Sequence, residues 1–361
     1  MHPHYVIRQL RRSKFCVWAT LLASGLFLNC GCASNPPNGL SLNSAPPQPY
    51  MRVVHGSSNV TELQIAAREF EPTHRKGPAV WLVGVSHIGE TNYYQTLQKI
   101  LDDQTVVFFE GVGERSHPML RPGNAAGASS EGNSRGGKVE NGFSLQSSLA
   151  QSLGLAFQLE AIDYDRPNFR NSDLSIPEIQ QLMSGEKEVL SGPPANRSEQ
   201  PAPNNAFEGL LQIMDGSSFA GAIAQLAVKF VGSNPKLQAL TRLAMSEALG
   251  QIKGDISQMR GLPPDMKHLL EVLIQSRNAR VVRDIKDVLP TLRADKSVAV
   301  FYGAGHMANL EAQIRRDLKY HPVGELWFSA ITVDAAKSGL TDTEMKMVRS
   351  VVSWQLQTMG Q

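Results

Sequence analysis

Two stretches of this chain carry the same chemical spelling. The run VWLVGV leads through Gly84 to His87, and VAVFYG leads through Gly303 to His306. Both read as an apolar strand, then Gly-x-x-His, then a helix. A third apolar run, TVVFF, ends in Glu110. In an open α/β sheet, ligands sit in the crevice beyond the carboxyl ends of parallel strands. Glycine at such an end lets the backbone bend and approach a ligand closely. The helix that follows aims its first N–H groups at the same crevice. Three such ends side by side would deliver two imidazoles and a carboxylate to one place. That trio serves as a ligand set for a divalent cation or as an acid/base set for activating water. Singly, each has a plainer reading: a turn histidine, or a carboxylate capping a helix. The matching positions set them apart.

The elements that must position them follow from pattern. Thr61–Glu71 and Ala79–Val85 are extended runs, predicting a hairpin. AVWLVGV is continuously apolar, as befits a strand covered on both faces. Thr91–Leu101 has Tyr94, Leu97, Ile100 and Leu101 on one helical stripe, and Thr105–Phe109 is a second buried strand. Strand, helix and strand in that spacing predict a βαβ unit and a parallel pair. A helix near 144–152 and a strand near 156–162 follow. Residues 207–289 are mainly helical in pattern, and the last helix, Asp265–Leu289, carries Met266, Leu270, Leu273, Val281, Ile285 and Leu289 on one stripe. Lys229, Arg242, Lys253 and Arg260 interrupt the region, which therefore reads as a cap over the crevice and not as membrane spans. Ser297–Tyr302 is a final buried strand before the helix 307–318. Trp327–Val333 and Thr341–Leu356 close the body as strand and helix. The expected fold class is α/β: a mixed, mainly parallel sheet flanked by helices, with a helical insertion forming a cap.

The ends and insertions differ in composition. Arg8, Arg11, Arg12 and Lys14 precede a 14-residue apolar run, Phe15–Leu28. That length suits an export signal and falls short of the roughly 20 residues of a spanning helix. The cysteine after Gly31 gives a lipoprotein-like signal over residues 1–31, with Cys32 as the acylated residue. Asn29 departs from the usual aliphatic position, and a plain cleaved signal is the alternative. Residues 32–57, rich in Pro, Asn and Ser, read as a tether to a body at 58–361. Gly/Ser/Asn-rich residues 116–142 and Pro-rich residues 184–206 read as flexible insertions. The expected location is the cell envelope, lipid-anchored at the outer membrane or on its periplasmic face.

Composition excludes several classes. Of the 35 basic residues, four lie in the first 31 positions, which hold no acid; beyond them 31 basic residues face 33 acidic ones. That balance argues against capture of nucleic acid. Cys16, Cys30 and Cys32 are the only cysteines, so the body has neither a disulfide framework nor a cysteine zinc site. No Walker loop, G-x-S-x-G elbow, HExxH helix or dinucleotide fingerprint occurs.

Gly84-Val85-Ser86-His87 with Tyr93-Tyr94 downstream, Phe108-Phe109-Glu110-Gly111 and Gly303-Ala304-Gly305-His306 together resemble the TraB/PrgY, GumN and TIKI superfamily. Its wider relatives include ChaN-like haem-binding lipoproteins and erythromycin esterases. The resemblance runs from about Val80 to Val333, insertions excepted, and implies a mixed sheet flanked by helices. TIKI members are described as metal-dependent proteases, and by motif match their essential residues fall on His87, His306 and Glu110. The family's Arg-Asn pair falls on Arg277-Asn278. Arg277 lies on an apolar stripe, where a charge is costly unless paired. It would clamp a substrate carboxylate, stabilise an oxyanion, orient Glu110, or form a structural ion pair. The block IDYDRPNFRNSDLS offers Asp163 as a further acid in the cleft and Asp173 as a cap or a brace for Arg277. Tyr93 and Asn278 are candidate substrate contacts beside Arg277 and Asp163.

The expectation is a hydrolase in which His87, Glu110 and His306 hold a divalent metal ion whose water attacks a peptide or similar carbonyl. Two alternatives stand beside it: a metal-free, esterase-like hydrolase, and a lipid-anchored protein that binds a peptide or small ligand without turnover.

Overall fold

Among the described residues the apolar runs form one mixed sheet of seven strands. They are β1 (Met51–His55), β2 (Val60–Pro72), β3 (Ala79–Val85), β5 (Val106–Phe109), β7 (Phe169–Asn171), β8 (Ser297–Gly303) and β9 (Tyr320–Asp334). The computed structural model describes residues 48–56, 59–74, 76–111, 140–183, 231–255 and 264–359. The signal segment, Cys32, nearly all of both insertions and residues 207–230 lie outside them.

The strand order is β1-β2-β3-β8-β5-β7, with β9 paired to β2. β3, β8, β5 and β7 run parallel, while β1, β3 and β9 are antiparallel to β2. The expected hairpin, β2 with β3, forms. The expected parallel pair does not: β8 lies between β3 and β5 and bonds both. The βαβ spacing fixes the strands' direction but not their adjacency, and β8, apolar on both faces, takes the central place. The tether also ends earlier than composition suggested. Met51–His55 pairs with Thr61–Ile65 as β1, and His55 bonds Glu247 at 2.8 Å.

Period two distributes the core. On β8, Ala299 and Phe301 join one buried cluster with Tyr94, Leu97 and Leu101 of α1 (Thr91–Asp102) and Leu153 beyond α2 (Glu140–Ser152). Val298, Val300 and Tyr302 join the other, with Val281, Ile285, Leu310 and Ile314. Burying each such large side chain contributes about 1.5–3 kcal/mol.

Three expectations change, one for a strand and two for helices. Residues 156–162 pair as a strand only at β6 (Ala156–Phe157), against β4 (Ile88–Gly89). The chain then coils into the single turn α3 (Gln158–Ala161). Residues 176–183 form α4 (Ile176–Met183). Within the expected cap, α5 (Pro235–Gly250) packs on β1, β2 and β9 and on the C-terminal helix, so it covers the antiparallel half of the sheet. The last helix of the region is broken in register. After α6 (Pro264–Leu270) comes a π segment, Glu271–Ser276, then α7 (Arg277–Val288). An i→i+5 turn inserts one extra residue. Leu269 and Val272 are therefore buried in place of the expected Leu270 and Leu273, while Val281, Ile285 and Leu289 stay on the apolar stripe. Beyond β8 come a 3₁₀ turn, Ala304–His306, α8 (Met307–Gln313) and a π segment, Ile314–Leu318. The chain closes with α9 (Ala335–Ser338) and α10 (Asp342–Met359). No helix among the described residues is long and apolar enough to cross a membrane.

Candidate active site

The carboxyl ends of β3, β8 and β5 lie side by side, and they bring His87, His306 and Glu110 together as the sequence predicted. β8 stands between the other two, so its Gly303 is the hub. Its N–H donates to Glu110 Oε2 at 2.8 Å. A Cβ placed on Gly303 would lie 3.3 Å from Glu110 Oε2 and 3.4 Å from His87 Nε2. Gly303 has φ −48° and ψ 137°, which alanine adopts freely, so the space matters and not the backbone freedom. We expect Gly303→Ala to displace Glu110 Oε2 and His87 Nε2 and, for the hydrolase proposed below, to lower turnover about tenfold. Its urea midpoint should stay close to the wild-type value; equal turnover would show that these atoms need no such placement. Gly84 differs, because its missing Cβ makes room for Ala66 O, Ile65 and Met307. That glycine serves packing.

The two Gly-x-x-His turns also differ in form. After Gly303 the chain enters a helical turn, leaving His306 only 5% exposed. After Gly84 it makes the short β4–β6 pairing, and His87 sits on the exposed side of that turn. Tyr93 and Tyr94 brace this turn from below. The Tyr93 hydroxyl accepts from Ser86 N–H at 3.2 Å, and the Tyr94 hydroxyl donates to Ser86 O at 2.8 Å. Both rings are buried, so Tyr93 is a core brace and not a substrate contact.

Each imidazole is held at Nδ1 by a carboxamide. His87 Nδ1 lies 2.9 Å from Gln158 Oε1, and Gln158 Nε2 donates to the Tyr164 hydroxyl at 2.8 Å. His306 Nδ1 lies 2.8 Å from Asn278 Oδ1, and Asn278 Nδ2 donates to His306 O at 3.2 Å. The His306 network puts a proton on Nδ1 and leaves Nε2 bare; with the Gln158 amide placed to donate to Tyr164, His87 likewise donates from Nδ1. Asn278 is fully buried, so it orients His306 and does not meet substrate. Gln158 went unnoticed in the sequence; its one signal is a lone amide inside the apolar run LAFQLEAI.

Glu110 faces one guanidinium, one backbone N–H and two imidazoles. Arg277 Nη2 donates to its Oε1 at 2.7 Å, and His306 Nε2 stands 3.8 Å from the same oxygen. Burial pushes the carboxyl up, but Arg277, the two histidines and the Gly303 N–H outweigh it and hold Glu110 far below the usual carboxylate range. Glu110 is thus a fixed anion. Arg277 is largely committed: its Nε and Nη2 donate to Asp173 at 2.8 and 2.6 Å, and its Nη1 faces the Leu273 carbonyl at 3.5 Å. Asp173 also accepts from Gly111 N–H at 3.0 Å. Arg277 therefore orients Glu110, with Asp173 as its brace, and the clamp on a substrate carboxylate falls away. Asp163 lies elsewhere. Because the expected strand stops at Phe157, Asp163 falls in an exposed loop, where it pairs with Arg166 at 3.3 Å and accepts from Asp165 N–H.

Burial lowers His306 to about 4, against the pull of Glu110. The unfolded side chain protonates near 6.5, so between these values the unfolded state binds the extra proton. Stability is then full above pH 6.5 and falls as pH drops toward 4, by up to about 3 kcal/mol. Urea unfolding across this window should show the loss, and His306→Gln should flatten it. An unchanged slope in that variant would remove His306 as the source.

The family resemblance implies a divalent metal. The donors suit one in kind: two imidazoles with anchored Nδ1 atoms and an ionised carboxylate. Both Glu110 oxygens already accept one hydrogen bond and keep a further lone pair each. Among the described residues no group of three His, Cys, Asp or Glu side chains is drawn together closely enough to hold an ion. Comparison with known proteins finds no matching family model, no matching curated protein and no matching solved structure.

Proposed function

We propose that this chain is a water-activating hydrolase of the cell envelope, acting on a peptide, ester or similar carbonyl. One observation carries the reading: two imidazoles anchored through Nδ1 and a carboxylate held by Arg277 and the Gly303 N–H converge at three adjacent strand ends. His87, exposed and anchored through Nδ1, is the general base. A water above Gly303 donates one hydrogen to His87 Nε2 and the other to Glu110. His87 takes the first proton as the water oxygen bonds to the carbonyl carbon, then returns it to the leaving group. The Glu110 charge stabilises the imidazolium formed in between. His306, neutral at physiological pH, lines the buried side without competing for that proton.

The anchored Nδ1 atoms favour a second reading, in which His87, Glu110 and His306 hold a divalent cation. Its chemistry would be to acidify a water and polarise the carbonyl. The lipoprotein-like N-terminus and the resemblance to TraB, GumN and TIKI proteins support an envelope location and hydrolytic chemistry. The test is turnover of p-nitrophenyl acetate and a fluorogenic peptide panel by the purified full chain. Activity that survives exhaustive chelation supports the first reading. Loss on chelation, restored by added Zn²⁺ or Mn²⁺, supports the second. Saturable peptide binding without any turnover would overturn both.

A further inference from the structure

We propose that Asp255 and Asn309 are positioning residues for His306, setting through a chain of amides which ring nitrogen carries its proton. The inference rests on His306 belonging to the site, but its readout does not depend on turnover.

The chain starts at a carboxylate. Asn309 Nδ2 donates to Asp255 Oδ2 at 2.8 Å. A carboxylate only accepts, so the Asn309 amide has one orientation, with Oδ1 turned inward. That oxygen accepts from Asn278 Nδ2 at 2.9 Å and from Gln313 Nε2 at 2.7 Å. With its amide nitrogen so committed, Asn278 offers Oδ1 to His306, and Nδ1 must donate across the 2.8 Å contact. The His306 carbonyl, accepting from Asn278 Nδ2 at 3.2 Å, acts in the same sense. Every donor in the series points toward Asp255.

The series is needed because Glu110 pulls the other way. Its Oε1 lies 3.8 Å from His306 Nε2, and an anion there draws a proton onto that nitrogen. Left to Glu110 alone, His306 would carry Nε2–H and point a hydrogen into the site. The amides oppose this, since Nε2–H would set the bare Nδ1 against Asn278 Oδ1, two lone pairs facing each other. Tyr302 meets the ring edge-on at 5.3 Å between centroids, which fixes the ring plane without favouring either tautomer. The consequence is an acceptor, and not a donor, beside Glu110.

The test reads the tautomer directly. Two-bond ¹H–¹⁵N spectra of ¹⁵N-histidine-labelled full chain are recorded at neutral pH, with His306 identified by His306→Gln. Wild type should show His306 as Nδ1–H alone. In Asn309→Leu, and more weakly in Asp255→Leu, the Nε2–H form should become comparably populated. The exchange Asp255→Asn with Asn309→Asp moves the acceptor one step inward while keeping Asn278 oriented, and should restore Nδ1–H. If Asn309→Leu fails to fold, Asp255→Leu, altered at a partly exposed site, decides. Nε2–H in wild type, or pure Nδ1–H in a folded Leu variant, would overturn the proposal. Nδ1–H in wild type with the expected shifts, in a protein that hydrolyses nothing, would leave it standing and remove the hydrolase reading alone.

Discussion

His87→Ala should lower kcat/KM by about 10²- to 10⁴-fold while leaving the urea midpoint nearly unchanged. The factor is the usual contribution of a positioned general base. The small stability effect follows from place: the ring lies on the exposed side of its turn. That turn is held by backbone bonds that survive the change, including Gln158 N–H to His87 O at 2.9 Å. Gln158 is buried beneath the exposed ring; removing the imidazole uncovers its Oε1 to water entering the vacated space, which holds the loss near about 1 kcal/mol. Gln158→Leu should move activity the same way more mildly, because the ring then loses its fixed tautomer. Turnover equal to wild type in His87→Ala would transfer the base to another group and end the assignment.

Arg277→Met should cost about 3–5 kcal/mol of folding stability, measured by urea unfolding, and abolish turnover. Arg277 is 5% exposed and links two carboxylates, Glu110 and Asp173, whose side chains are 15% and 1% exposed. Removing one member of a buried ionic set strands the others without compensation. Glu110, now facing only the histidines and the Gly303 N–H, would move back up toward the ordinary carboxylate range. Arg277→Lys should recover little, since a single ammonium cannot reach both Asp173 oxygens and Glu110 in the forked geometry of a guanidinium. A loss below about 1 kcal/mol would mean that water reaches these carboxylates freely.

The candidate trio was legible because strand ends are a one-dimensional signal: an apolar run that stops at a polar residue. His87, Glu110 and His306 were found this way. Of the residues that support the trio, the sequence names Asp173 as a brace for Arg277 and Asn278 as a substrate contact, but it shows neither Gln158 nor the role of Asn278 in holding His306. Gln158 and Asn278 act across 71 and 28 residues of sequence. Side-chain types at such separations carry no period. Asp163 shows the converse error, since it looked like a strand end only while Ala156–Ile162 was read as a full strand. The π segment before Arg277 likewise displaced the stripe by one residue, because periodicity assumes an unbroken 3.6-residue turn.

By itself the amino-acid sequence determined the α/β class, the paired Gly-x-x-His turns and the parallel sense of β3 and β5, because burial on two faces demands continuous apolar runs. Only the tertiary structure decided that β8 enters between β3 and β5, making Gly303 the point where the three side chains meet. It also decided that Arg277 is consumed by carboxylates and that one histidine is exposed while the other is buried. Those outcomes depend on which distant groups share a low-dielectric space, where every unpaired charge is expensive and every buried amide must find a partner.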